Sequence, residues 1–396
     1  MQKFVEQEPP KFSWFYCLLW SIVTLGFAII PYLIYFYYQI NQYKKSIEIF
    51  NQSYISQKDF NEKFEKSATE ASEENLHQVE QYYKNGKKYF VKPIIKLKDS
   101  KEAKNNQHKI IKSEGKRELI SSKILQELLK DNDKITVGKI KLVLETKNES
   151  IQKNSIVSEG LEIAENHNIN KKLHFEALLY RMLIGDVDGH EKNFLSLIDG
   201  KVAIIDLGIS LCPFLDTMNR SSNPTANVNN SLIAINKIGI TSDDIQDVFT
   251  KFSSNKEKLN HIIERVDLSD LVVFNNESKK TAKINLVRKN LKNNLNLLTS
   301  DIFKDFCHIS AQFNPQEDKE PNKLFFERLQ NFFVWLYSNQ QYLEKYQSGT
   351  LQGFVTCHYK ETDNYQKLDL NSPDYQKKWE EYVNKKTNDI QAAIIE

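Results

Sequence analysis

Between Leu183 and Ser210 the chain reads LIGDVDGHEKNFLSLIDGKVAIIDLGIS, placing Asp186, Asp188, His190, Asn193, Asp199 and Asp206 around two short apolar stretches. Carboxylates and a carboxamide in this order suit phosphoryl transfer from a nucleotide. That reaction needs one carboxylate to orient the attacking hydroxyl, oxygen ligands for Mg²⁺, and cations on the phosphates. Asp188 lies on the first loop and Asn193 at its far end. If FLSLI and KVAII fold back about the turn Asp199-Gly200, Asp206 arrives beside Asn193. Gly185, Gly189 and Gly208 fall where the backbone has to bend tightly. Asp186 reads as a loop bystander and Asp199 as part of the turn. The competing reading makes Asp188 and Asn193 ordinary turn residues and Asp206 a strand-end cap.

The elements that must position these groups are visible in the pattern. A helical run, KKLHFEALLYRMLI, leads into the loop from upstream. Earlier, Asn85-Gly86 separates two runs of strand-forming residues, a hairpin signal. SEGKRELISSKILQELLK then predicts a helix with Ser113 as N-cap and Leu119, Ile120, Ile124, Leu125 and Leu128 on one face. KITVGKIKLVLET and NSIVS supply two or three more strands. Downstream, a polar segment, DTMNRSSNPTANVNNS, gives way to helical patterns that include KKTAKINLVRKNLKNNLNLL and KLFFERLQNFFVWLY.

With these elements in place, LIGDVDGHEKNF…IIDLGIS resembles the catalytic loop and metal-binding segment of HipA-like serine/threonine kinases. It is similar, more distantly, to the loops of phosphoinositide kinases, and it also looks like the atypical kinase effectors of intracellular bacteria. The resemblance is close over residues 173–210 and topological over 76–160. It implies Asp188 as the catalytic aspartate, Asn193 and Asp206 as metal ligands, His190 as the histidine shaping the loop, and Lys192 near the transferring phosphate. Gly208 falls where the glycine of an Asp-Phe-Gly segment would. A kinase amino-terminal lobe should also offer a strand lysine to the α/β-phosphates, paired with a helix glutamate. Lys92 and Glu118 hold that order, with Glu114 as the rival glutamate. The hinge falls at Ser158–Gly160, with Ser158 and Glu159 as nucleotide contacts. The segment that should cover the phosphates, Ser67–Asn75, is acidic and contains no glycine. The competing readings are a solubilising edge-strand charge for Lys92 and a solvated helix face for Glu118.

Composition bounds the remaining choices. The 396 residues carry 54 basic and 52 acidic side chains, a net charge of +2, so no overall basic field argues for nucleic acid. Only six of the basic residues are arginine, the preferred bidentate reader of bases. Four cysteines lie far apart with no CxxC, as suits a reducing compartment. Cys307–His308 and Cys357–His358 match no zinc spacing and read as buried cysteines beside incidental histidines. The basic run Lys279, Lys280, Lys283, Arg288, Lys289, Lys292 reads first as a solvated face and second as a site for anionic lipid or an inositol phosphate.

Phe12 to Tyr38 contains no charged residue, which exceeds the roughly 20 apolar residues that span a bilayer. Aromatic residues cluster at both ends, and Pro31 would kink the span or turn it back as a hairpin. Lys44 and Lys45 follow at once, favouring a cytosolic body.

The expectation is therefore an α+β protein: a two-lobed, protein-kinase-like fold with an N-terminal transmembrane segment and a helical C-terminal extension. Its parts are a membrane anchor (1–45), a juxtamembrane linker (46–75), an N-lobe (76–160), a C-lobe (161–300) and the extension (301–396). The resemblance implies ATP and Mg²⁺ and a protein or phosphoinositide acceptor. The alternatives are a phosphoinositide kinase, a pseudokinase serving as a membrane-bound binding module, and a purely structural membrane protein. The setting is a membrane with the body facing the cytosol, or a bacterial effector secreted into a host.

Overall fold

The computed structural model describes residues 33–41, 52–70, 79–94, 107–147, 150–165, 168–186, 188–208, 210–211, 237–268 and 277–311, with a few single positions besides. The described residues divide into two compact units. The first is drawn from residues up to Leu119 and from Gly138–Leu161, the second from Ile120–Val137 and from Glu162 onward.

The first unit is built on a six-stranded sheet. Its strands are β1 (Tyr54–Ser56), β2 (Glu65–Glu70), β3 (Glu80–Lys84), β4 (Lys87–Pro93), β6 (Ile140–Lys147) and β7 (Ser150–Glu159), in the order β1-β6-β7-β4-β3-β2. β3 and β4 form the predicted hairpin about Asn85-Gly86, both at positive φ as a tight hairpin turn requires. Alternation along the strands sends side chains to two faces. Val91, Val143 and Val157 pack with Phe60 and Phe64 on one side. On the other, Leu142, Leu144 and Ile156 pack with Leu119 of α2 (Gln107–Leu128). Lys92 follows Val91 and pairs with Ile156 across the ladder, so it shares the α2 face.

Two sequence expectations are corrected here. Residues 54–70 are not a linker: β1 pairs in parallel with β6, and α1 (Gln57–Lys63) lays Phe60 on the sheet. Ser56 caps α1, its hydroxyl accepting the Asp59 N–H at 3.0 Å. The α2 helix runs from Gln107, so Ser113 lies inside it and is not its N-cap position.

A close approach ends the first unit. The Gly160 N–H donates to the Lys88 carbonyl at 2.8 Å, and a Cβ on Gly160 would lie 2.7 Å from that same oxygen. Backbone cannot yield as a side-chain tip can. Gly160→Ala is therefore expected to cost about 1–3 kcal/mol, read as a lower melting temperature of the purified chain.

The second unit holds one large core around α3 (Lys171–Leu183), which is buried from Phe175 to its end. A helix buried on every side belongs inside a domain, and its buried charges, Glu176 and Arg181, are paired with Lys251 and Asp186. Around it pack α4 (Ser242–Ser254), α5 (Lys256–Arg265), α6 (Glu277–Leu298) and α7 (Asp301–Ala311). A small sheet orders β5 (Ile135–Val137), β9 (Val202–Ile204) and β8 (Phe194–Ser196). The extension proposed from residue 301 is also corrected, since Ile302, Phe303, Phe306 and Cys307 of α7 are core residues.

Among the described residues no helix is long and apolar enough to cross a membrane. Of the uncharged run, positions 12–32 lie outside the described residues. The end of it joins a helical stretch, residues 33–41, on which Leu33, Ile34, Tyr35, Tyr37 and Tyr38 are exposed. The polar segment at 216–231, Cys17, Cys212 and the chain from 312, including Cys357–His358, also lie outside the described residues, apart from two single positions.

Candidate active site

The hairpin forms as its spacing predicts. Phe194 pairs with Ile204 and Ser196 with Val202, around a turn in which the Gly200 N–H meets the Leu197 carbonyl. One step beyond the paired ends, the Ile205 N–H donates to the Asn193 carbonyl at 3.0 Å. Asn193 and Asp206 are thus carried on adjacent chain segments.

The loop before the hairpin is closed by its own side chains. Asn193 is buried, and its Nδ2 donates to the Asp188 carbonyl at 2.6 Å, leaving Oδ1 as the atom suited to a cation. His190 Nε2 lies 3.6 Å from Asp188 Oδ2, and His190 is half-exposed. Glu191–Asn193 forms one 3-10 turn with Lys192 exposed on it. Asp206 is exposed and sits at φ +53°, a left-handed conformation that costs a residue other than glycine about 1–3 kcal/mol. Beyond it the Leu211 N–H returns to the Ile184 carbonyl, and the Ser210 hydroxyl is bonded to Ser121 and to the Leu207 carbonyl.

Two residues that sequence reasoning passed over organise this loop. Arg181, near the end of α3, is fully buried. Its Nη1 donates to the carbonyls of Asn193 (3.3 Å) and Ile205 (2.6 Å), and its Nη2 to the Asp206 carbonyl (2.6 Å) and Asp186 Oδ2 (2.8 Å). Asp186, far from being a bystander, is also fully buried, and its Oδ1 accepts the Asp188 N–H at 2.8 Å. Burial pushes the Asp186 carboxyl up to about 6, against the pull of the Arg181 guanidinium beside it. A lone arginine inside the apolar run LLYRMLI was the available signal, because a charge there must be paired.

In the first unit, Lys92 Nζ lies 3.8 Å from Glu118 Oε2, and both side chains are largely buried. The pair expected from order alone is therefore formed. The side chain of Glu114, the rival, lies outside the described residues. Ser158 and Glu159 stand opposite Phe90 and Tyr89 in the β4–β7 ladder, where the Ser158 hydroxyl donates to the Phe90 carbonyl and Glu159 pairs with Lys87. Of the glycine-free covering segment, Ser67–Glu70 belongs to β2 and the rest lies outside the described residues.

The donors at Asn193 and Asp206 are hard oxygens, which fit Mg²⁺. Among the described residues no three His, Cys, Asp or Glu side chains converge. A Mg²⁺ ion at Asn193 and Asp206 would need further oxygen ligands from water and phosphate. Cys307 is buried in the core with its thiol pushed up by burial. In the basic run, Arg288 donates to the Val266 carbonyl, and Lys292 pairs with Glu264 at the surface. The side chains of Lys279 and Lys280 lie outside the described residues.

His174, on α3, lies beneath this site with its ring edge-on to Phe194, 4.5 Å between centroids. Its buried Nε2 has no hydrogen-bond partner among the described residues, and burial lowers its pKa from 6.5 to about 4. The folded pKa is the lower one, so the unfolded chain binds the proton first. Stability is expected to fall by about 2–3 kcal/mol as pH drops from 6.5 to 4. Melting curves of the wild type and His174→Leu across that window check this, the variant losing less.

No family model and no curated protein matches this chain. Among solved structures it is similar to a Helicobacter pylori proinflammatory kinase, CtkA, at 14% identity and a TM-score of 0.30, over 62% of this chain and 95% of that one. That structural neighbour is a kinase, and the mixed α/β architecture described above stands on this chain's own geometry.

Proposed function

We propose that this chain is a phosphotransferase that moves the γ-phosphoryl group of ATP to an alcohol, and more narrowly a HipA-like serine/threonine protein kinase. The observation that carries the reading is the β8–β9 hairpin, which brings Asn193 and Asp206 onto adjacent segments beside a loop bearing Asp188. The Lys92–Glu118 pair supports it independently, on a strand and helix in the order that kinases use.

In this reading Asp188 orients the acceptor hydroxyl and accepts its proton as the oxygen–phosphorus bond forms and ADP departs. Asn193 Oδ1 and the Asp206 carboxylate would hold Mg²⁺, which supplies charge compensation on the phosphate oxygens. His190 steadies the Asp188 side chain, while Lys192 and Lys92 serve the phosphates. Ser158 and Glu159 would contact the nucleotide.

A phosphoinositide kinase is the second reading. It draws on the uncharged run from Phe12 and the exposed Leu33, Ile34, Tyr35, Tyr37 and Tyr38 at its end. Both readings place the chain on a membrane through that run, with the body on the cytosolic side where ATP is found. The test offers the full chain γ-labelled ATP and Mg²⁺, with a protein mixture and phosphoinositide vesicles as acceptors. Label in protein supports the first reading and label in lipid the second. Label in neither, with no Mg²⁺-dependent thermal shift by ATP, would leave a binding module instead.

A further inference from the structure

Arg181 is an expensive residue to keep. Its guanidinium is wholly buried, and its Nε has no hydrogen-bond partner among the described residues. A buried ion pair is often no more stabilising than apolar side chains of similar volume. Stability alone therefore explains it poorly, and its hydrogen bonds suggest another purpose. Three of its four acceptors are backbone carbonyls, those of Asn193, Ile205 and Asp206. They come from two segments, the end of the loop and the exit of β9, and these segments carry both candidate cation ligands.

We propose that Arg181 is a positioning residue for the cation site: one planar, buried group sets the spacing of Asn193 and Asp206, and Asp186 sets Arg181. The inference rests on the phosphotransferase reading and specifies how its metal ligands are held. Asp206 sits in a left-handed conformation that persists only when its surroundings over-determine it. The carbonyl of that same residue is gripped at 2.6 Å. Asp186 then extends the register to Asp188, with one oxygen on Arg181 and the other on the Asp188 N–H. Phe194 backs the guanidinium, its ring centroid 5.6 Å from Cζ. Lysine cannot replace this fork, since an ammonium is a point charge that does not hold several carbonyls in one plane.

The test measures Mn²⁺ binding by electron paramagnetic resonance on the full chain, with and without a non-hydrolysable ATP analogue. Arg181→Lys is expected to weaken Mn²⁺ about 10–100-fold, the range for residues that orient metal ligands, while metal-free binding of the analogue holds. Asp186→Asn keeps an acceptor for the Asp188 N–H but loses the charge facing Arg181. It should shift Mn²⁺ in the same direction, and it serves if Arg181→Lys does not fold. Unchanged Mn²⁺ affinity in the folded variants overturns the positioning role and leaves the phosphotransferase reading standing. Equal loss of Mn²⁺ and of metal-free analogue binding also overturns it, because that marks general packing. No Mn²⁺ binding by the wild type in either condition overturns both.

Discussion

Asp206→Asn is expected to lower phosphoryl transfer about 1,000-fold while the chain stays folded. A divalent cation contributes several kcal/mol of charge stabilisation in such a reaction, and about 4 kcal/mol corresponds to that factor. Asparagine is the right replacement because of the backbone. Asp206 sits at φ +53°, and Asn tolerates the left-handed region far better than Ala. Alanine would strain the segment that Arg181 holds, mixing a folding defect into the kinetic one. The neutral amide keeps the shape and an oxygen but loses the charge. Initial rates over a Mg²⁺ series, with melting temperatures beside them, check this. A rate within threefold of wild type at all Mg²⁺ concentrations would remove Asp206 from the metal site.

Lys92→Met should produce two effects that separate cleanly. Transfer should fall at least about 100-fold, as when a preorganised charge facing developing charge is removed. Stability should fall by about 1–3 kcal/mol, because the largely buried Glu118 loses the cation that lies 3.8 Å from its Oε2. Adding Glu118→Gln neutralises the carboxylate that faced Lys92. The double variant is expected to regain at least half of the lost stability and none of the lost rate. Denaturation and initial rates on the four members of this cycle provide the measurement. β4 is paired on both sides and the Lys92 side chain is largely buried, so the edge-charge reading no longer applies, and a rate near wild type in Lys92→Met would remove Lys92 from the phosphates.

The parts of the site that were legible in the sequence are those whose signals are local. Asp199-Gly200 between two apolar runs specifies a hairpin, and the hairpin carries Asp206 and Asn193 on adjacent segments. Strand alternation puts Lys92 on the face opposite Val91, where a following helix can reach it. What was illegible depends on partners distant in the chain. Tyr54–Ser56 makes only three strand positions, and they become strand by pairing with β6. Without that partner the stretch reads as linker. The helix start is different: Asn105-Asn106, residues well suited to cap a helix, stand just before Gln107, so a start upstream of Ser113 has a signal in the sequence. Asp186 beside Asp188 looks like a redundant loop charge until the buried Arg181 is set against it.

The central claim is that Asp188 works as the residue that orients and deprotonates the acceptor. The most direct measurement follows transfer of label from γ-labelled ATP with Mg²⁺ by the full chain and by Asp188→Asn, with nucleotide binding measured on both. Label is expected on an acceptor with the wild type, with equal ATP affinity in the two proteins and a loss of about 100- to 10,000-fold in the variant, the range for general-base positioning. Equal incorporation by both proteins would contradict it.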